Sequence, residues 1–374
     1  MSVQELRYHA RRGVNLTKRK GLRGVRLAVV GCGYWGAKHL RVVSGLPEVS
    51  EVIVVEPDAR KRQNASQVFP NIAVAEDLAS VLDRVDGVVI ATPPETHPDL
   101  GLMAIRAGKA VLIEKPLAAT LALSRLLVAE AEKHRVPLMV GHTFEFNPAV
   151  IELRRRMDAG DLGDIHYIHS ARLNLGLYRK DVNVVWDLAP HDISIMNFLL
   201  RATPTSVSAW VSSHASSDTS DLAYFQLNYG EQGVMGYGHV SWLDPRKVRQ
   251  VTVVGSKRMA VYDDLAEEKL RIFDRGVDGG PASIGKKAPL HAMPISYRYG
   301  DIVSPHIDFQ EPLMLEDRHF VECIRDRLPP RSDGASGAAV VAVLDAIDRS
   351  ILAGGAVEMS PLFPQQTVPV AARA

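Results

Sequence analysis

At 374 residues the chain has room for two ordinary domains, and 46% hydrophobic with 23% charged residues supply cores without help from disulfides or metals. A formal net charge of +1 gives no field to draw nucleic acid or a membrane surface, and no apolar run is long enough to span a bilayer. Two cysteines, Cys32 and Cys323, form no C-x-x-C pair; with no apolar leader in view, the expectation is a cytoplasmic protein without a metal site.

Residues 1–24 form a basic N-terminal extension in which Arg7, Arg11, Arg12, Lys18, Arg19, Lys20 and Arg23 crowd a stretch without apolar periodicity. It reads either as a loosely packed arm or as a contact for a partner subunit or an anionic ligand. Residues 26–30 are a short apolar run ending in glycine, as a buried parallel strand should. The spacing then predicts helix 37–46, strand 51–55, helices 59–68 and 77–82, strand 87–91, helix 98–107, strand 110–113, helix 120–134 and strand 137–140. That alternation predicts an α/β fold, a Rossmann doubly wound parallel sheet over 25–147.

After Pro148 the rhythm changes. A helix over 149–158 leads into alternating segments at 165–173, 206–211, 223–229, 234–242, 248–254 and 259–262. These predict an α+β domain with an open, mainly antiparallel sheet, one face packed on helices. Residues 187–200 read as a helix with a polar first turn, 275–312 as a long irregular connection, and 316–327 and 335–352 as closing helices. Residues 148–374 are thus the expected substrate-binding and oligomerisation domain, and its uncovered sheet face predicts a homodimer or homotetramer.

Gly31-Cys-Gly-Tyr-Trp-Gly36 matches G-x-G-x-x-G directly after a strand and at the opening of a helix. Glycines at 31, 33 and 36 permit a tight turn and let backbone N–H groups reach a pyrophosphate at the helix N-terminus, with Tyr34 and Trp35 beside it. Glu56 closes the second strand 20 positions after Gly36, where a carboxylate can accept from the adenosine ribose hydroxyls and repel a 2′-phosphate. NAD is favoured over NADP, although Arg60, Lys61 and Arg62 stand close behind. Thr92 and Pro93 follow the next strand at its carboxyl end and are further cofactor neighbours; His97 is read as a helix-start or packing residue near them.

Glu114-Lys115-Pro116 occupies another strand end, where a lysine faces the ligand crevice. In Trp186-Asp-Leu-Ala-Pro-His-Asp192, Asp187 and His191 are four apart and share one helix face, and Pro190 is tolerated if it lies in the first helical turn. An imidazole takes a proton near neutral pH, and a carboxylate or lysine nearby can orient it. Asp192 is the member expected to be structural.

Taken together, the glycine fingerprint, Glu114-Lys115-Pro116 and the Asp187/His191 pair resemble the Gfo/Idh/MocA oxidoreductases, over essentially the whole chain after residue 24. Within that family, the run from Arg172 through Asp192 most resembles bacterial members of nucleotide-sugar pathways, of the UDP-N-acetylglucosamine 3-dehydrogenase type. The resemblance implies that Lys115, Asp187 and His191 line the substrate beside the nicotinamide, and that the Lys115–Pro116 bond is cis. Gly141-His-Thr-Phe-Glu-Phe-Asn147 replaces the arginine-containing loop common elsewhere in the family, leaving the part played by His142 open.

The expected reaction moves hydride between a secondary hydroxyl or ketone of a sugar or nucleotide sugar and NAD. His191 accepts the hydroxyl proton, Lys115 hydrogen-bonds the oxygen or shares the base role, and Asp187 orients His191 or a substrate hydroxyl. Arg172, Asn174, Tyr178, Arg179 and Asn183 are candidates for substrate recognition, the arginines suiting a carboxylate or diphosphate. Two readings compete: a redox-neutral epimerase or lyase that recycles tightly bound NAD, and a non-catalytic NAD-binding regulator. Retention of Lys115 with the Asp187/His191 pair speaks against the second.

Overall fold

The computed structural model describes residues 24–176, 178, 182–278, 296–360 and 362. The basic segment 1–23 and Arg179 lie outside the described residues. Two compact units divide the chain: the described residues up to Val140 with Cys323–Ala346, and Gly141–Glu322 with Ile347–Val357.

In the first unit the strands are β1 (Val25–Val30), β2 (Val49–Val55), β3 (Ala73–Ala75), β4 (Gly87–Ile90), β5 (Ala110–Glu114) and β6 (Leu138–Gly141). They form a six-stranded sheet in the order β3-β2-β1-β4-β5-β6. Burial explains why these strands read as unbroken apolar runs. Leu27, Ala28 and Val29 of β1, Val88 and Val89 of β4, and Val111 and Leu112 of β5 are all buried, and a strand covered on both faces needs no polar alternation. Helices α1 (Tyr34–Val43), α2 (Ala59–Val68), α3 (His97–Arg106) and α4 (Leu121–His134) connect the strands. Asp58 caps α2 by accepting from the Arg60 and Lys61 amides, and Thr120 caps α4 by accepting from Leu123. The expected helix over 77–82 is a 3-10 segment, Ala79–Arg84. Strand order reverses between β1 and β4, so the ligand crevice of such a sheet falls outside their carboxyl ends.

The second unit is built on α5 (Pro148–Asp158), β7 (Ile165–Leu175), α6 (Val184–Leu200), β8 (Ser206–Ser212), β9 (Leu222–Tyr229), β10 (Val234–Ser241), β11 (Leu243–Gly255), β12 (Met259–Asp263), β13 (Leu270–Asp278) and β14 (Ser296–Val303). Their sheet is antiparallel except where β10 runs parallel to β7. Buried Val207, Phe225, Leu227 and Val240 face the helix layer, against which α6 packs. The opposite face carries Trp210 at 62% exposure, Tyr224, Tyr237 and Tyr167, with Tyr224 stacked on His239 at 4.1 Å between ring centroids.

Two expectations need correcting here. The stretch 275–312 is not wholly irregular, because β13 and β14 pair within it. β14 is the edge strand, with Tyr297, Tyr299, Ile302 and Val303 exposed, so no inside–outside alternation marked it, whereas β13 beside it buries Leu270 and Ile272. Pro190 is not in the first helical turn either: α6 begins at Val184, because Asn183 accepts from the Trp186 amide at 3.0 Å and the buried Val184 and Val185 join the helix. Pro190 therefore sits in the second turn and withholds the N–H that would reach the Trp186 carbonyl.

Candidate functional site

In the first unit the glycine loop is shaped by three different demands. Gly31 has φ +88, and a Cβ there would stand 2.7 Å from the Ala91 carbonyl oxygen. At Gly36 a Cβ would run into the Gly31 carbonyl. Among the described residues, nothing lies within 4 Å of where a Cβ on Gly33 would be, and Gly33, the N-cap of α1, brings no capping side chain. That open approach at a helix N-terminus fits a dinucleotide's pyrophosphate. Lys38, one turn along α1, lies over the Tyr34 and Trp35 rings at 4.1 and 4.3 Å from their centroids.

Glu56 is buried at the end of β2. It accepts from the Cys32 amide at 2.9 Å and the Asp58 amide at 3.2 Å, which holds the carboxylate against the glycine loop. Of the three basic residues behind it, Arg62 is spent on the Glu56 and Pro57 carbonyls (2.6 and 2.7 Å) and on Glu76, whereas Arg60 and Lys61 are exposed. Burial, with the Glu56 charge adding to it, pushes the Cys32 thiol up to about 11, so it stays a neutral thiol.

The loops after β4 and β5 are tied together. His97 is fully buried, its Nε2 2.9 Å from the Thr92 carbonyl and its Nδ1 3.0 Å from the Pro116 carbonyl. Burial draws its pKa below the ordinary value, favouring the neutral ring. Thr92 is half-buried with its hydroxyl 2.6 Å from that of Thr96, and Pro93 is exposed. Glu114 is buried, 3.0 Å from His39 Nε2, and accepts the Lys115 amide at 3.1 Å. Burial opposes its ionisation, but His39 and Lys115 outweigh that and hold the carboxyl below its usual range. Lys115 is half-buried at the carboxyl end of β5, and its bond to Pro116 is cis.

In the second unit Asp187 and His191 stand one turn apart on α6, both half-buried. Asp187 accepts from the indole N–H of Trp242 at 3.1 Å, and the His191 ring meets Phe144 in a T-shaped contact at 5.0 Å. Asp192 is structural, as expected: it takes both arms of Arg172 at 2.9 and 3.1 Å, each residue almost wholly buried. Arg172, an expected substrate contact, is therefore engaged inside the fold, its charge maintained by Asp192 against the cost of burial. Asn183, another, serves as the cap of α6. His142 is buried at 1% exposure, while Asn174 is half-buried beside Gly176. Tyr178 is exposed, donating to the Thr219 carbonyl at 3.1 Å with its ring 5.2 Å from Trp242.

Sequence reasoning passed over four side chains. Trp242 and Phe144 hold the two α6 candidates; a buried tryptophan needs an acceptor for its N–H, which was the available signal for the first. His39 supports Glu114, and His214 has its Nδ1 2.9 Å from the buried Asp221 carboxylate. That carboxyl is held below its ordinary range although burial works the other way, because it also accepts from the Ala215 and His214 amides.

A parallel sheet in this order, with a glycine loop at its switch point, is the architecture of a dinucleotide-binding oxidoreductase. The comparisons narrow the class. Residues 25–142 match the family model for the oxidoreductase family with an NAD-binding Rossmann fold, and 150–261 match the GFO/IDH/MocA C-terminal domain. The chain belongs to the Gfo/Idh/MocA oxidoreductase family. It is similar to inositol 2-dehydrogenase 2 of Saccharopolyspora erythraea, 32% identical over 58% of this chain and 68% of that one. It is also similar to UDP-N-acetylglucosamine 3-dehydrogenase of Acidithiobacillus ferrooxidans, 27% identical over 85% and 94%. A solved structure of a putative oxidoreductase from Magnetospirillum magnetotacticum MS-1 superposes with a TM-score of 0.72 at 30% identity, covering 87% of this chain and 99% of that one. Among the described residues, no helix is long and apolar enough to cross a membrane.

Proposed function

We propose that this enzyme transfers hydride between NAD and a secondary hydroxyl or ketone of a sugar or nucleotide sugar. The observation that carries the reading is the pair on α6: a carboxylate and an imidazole one turn apart, each held in place by an aromatic side chain, in a member of this oxidoreductase family. NAD, when bound, supplies the hydride acceptor. His191 takes the hydroxyl proton, Lys115 hydrogen-bonds the same oxygen and stabilises the negative charge that develops there, and Asp187 orients His191 or a neighbouring hydroxyl. Glu56 at the glycine loop supports NAD over NADP, since a 2′-phosphate would meet its carboxylate while Arg62 is already engaged.

The reading extends to assembly. The aromatic sheet face bearing Trp210, Tyr224 and Tyr237 is the surface through which copies of the chain associate as a dimer or tetramer. Light scattering after size-exclusion chromatography tests this, and a monomer at working concentration would reject it.

The activity is tested by a spectrophotometric screen of nucleotide sugars, free sugars and inositols against both coenzymes. The expected result is NADH accumulating with at least one of them and slower or no reduction of NADP. No coenzyme reduction with any of the panel, alongside measurable NAD binding, would reject the dehydrogenase reading.

A further inference from the structure

We propose that Phe144 is a positioning residue for His191, and that the buried Arg172–Asp192 pair is the strut that fixes Phe144; its catalytic meaning rests on the function proposed above. The contacts form a closed circuit. Asp192 follows His191 on α6, and its carboxylate holds both arms of Arg172 from β7. The Arg172 guanidinium lies over the Phe144 ring, 4.6 Å from the centroid, a cation–π contact. Phe144 in turn meets the His191 ring at 5.0 Å with the planes 70° apart, which returns the circuit to the helix where it began.

Stability alone does not account for this arrangement. Removing two charges from water costs on the order of what their attraction restores, and apolar residues of similar size commonly do as well. What the ion pair adds is direction: a forked guanidinium held at both arms is a flat plate of fixed orientation, and Phe144 lies against it. The short turn that carries Phe144, Thr143–Phe146, is also held on both sides. Thr143 donates to Glu316 at 2.9 Å, Glu145 accepts from Ser194 at 2.5 Å, and Asn147 donates to the Tyr262 hydroxyl at 2.9 Å. The ring therefore has little freedom to swing away, and an imidazole resting on it keeps one side-chain rotamer. A base must hold its nitrogen within hydrogen-bond reach of the proton it takes, so a second rotamer would remove it from the reaction.

The test needs no substrate. Protein labelled with 13C at histidine Cε1 gives a His191 signal identified by its loss in His191→Asn, and diethyl pyrocarbonate modification of His191 is followed by peptide mass spectrometry. In Phe144→Ala the His191 signal is expected to lose its ring-current displacement and broaden, and modification at His191 to run several-fold faster. Phe144→Leu, which refills most of the space without a ring, should lose the displacement but restore most of the protection; it also carries the test where the alanine variant folds poorly. Thermal unfolding recorded in parallel separates a purely structural role, which would lower the midpoint while leaving His191 of the folded protein as reactive as before. Wild-type signal and reactivity at His191 in both variants would overturn the proposal. A failed substrate screen would instead remove the proposed function and leave this result standing.

Discussion

The two candidate sites are made of different material. At the glycine loop of the first unit the proposed binding surface is backbone: among the described residues Gly33 has nothing close to where its Cβ would be, and side chains such as Glu56 hold the loop from behind. On α6 of the second unit the proposed reacting groups are side chains, and each is held by a residue from elsewhere in the fold, Trp242 for Asp187 and Phe144 for His191. A backbone site is written in a few contiguous residues whose sizes are constrained. A side-chain site is distributed across the fold, so its supporting residues carry no local pattern.

The largest effect that can test this contrast is on chemistry. His191→Asn keeps the shape but removes the base, and turnover should fall on the order of 10²–10⁴-fold while NAD binding, measured by calorimetry, is retained. Wild-type turnover in that variant would separate the α6 pair from the reaction altogether. Next comes Asp192→Ala, which leaves the Arg172 guanidinium buried without its counter-charge; loss of a partner from such a pair costs about 3–5 kcal/mol. Chemical denaturation should show that loss, and a change within error would mean Arg172 finds water or another acceptor.

Much of the fold is legible in the amino-acid sequence. The alternation of buried apolar runs with helices gave the parallel sheet, and the glycine spacing placed the tight loop between β1 and α1, because each signal is local and set by sterics. The α6 pair was legible through its i, i+4 spacing. What escaped was non-local: Arg172 and Asn183 looked like substrate contacts because nothing in the chain order shows that one faces Asp192 and the other caps α6. The edge strand β14 escaped because Tyr297, Tyr299, Ile302 and Val303 leave it exposed, with no apolar alternation to mark it.

The glycines allow a finer division. Gly36→Ala would push a methyl into the Gly31 carbonyl, so it should destabilise the protein by about 1–3 kcal/mol, as overpacking does. Gly33→Ala meets no atom of the described residues, so its unfolding midpoint should stay close to wild type while NAD affinity drops by about tenfold or more, roughly 1.4 kcal/mol. Unchanged NAD affinity in Gly33→Ala would mean that the open approach is not where the pyrophosphate lies. For the side-chain site the matching test is Trp242→Phe, which keeps the ring and removes the N–H that Asp187 accepts. A hydrogen bond to a charged group is worth about 1.5–3 kcal/mol, so kcat should fall on the order of tenfold with little change in NAD affinity. Equal kcat would leave Asp187 positioned without Trp242.

The smallest effect concerns His97, which joins the two strand-end loops of the first unit. A neutral imidazole donates one N–H, yet both ring nitrogens lie beside carbonyl oxygens, Thr92 at 2.9 Å and Pro116 at 3.0 Å. Protonation would let both bond, but burial outweighs that gain and holds the folded pKa below the ordinary 6.5. Where the folded value is the lower one, the unfolded chain binds the proton more readily as pH falls. The stability contributed by neutral His97 is then present above about 6.5 and is lost as the pH drops from there towards the folded value. His97→Gln keeps an amide that can donate to one carbonyl and never titrates. Its melting midpoint should start lower than wild type at about pH 7.5 and fall less steeply on the way to about pH 5.5, across the range where histidine ordinarily titrates. Parallel curves for the two proteins would mean that the loops are joined by a ring already charged in the folded state, and that the two carbonyls, rather than burial, decide its protonation.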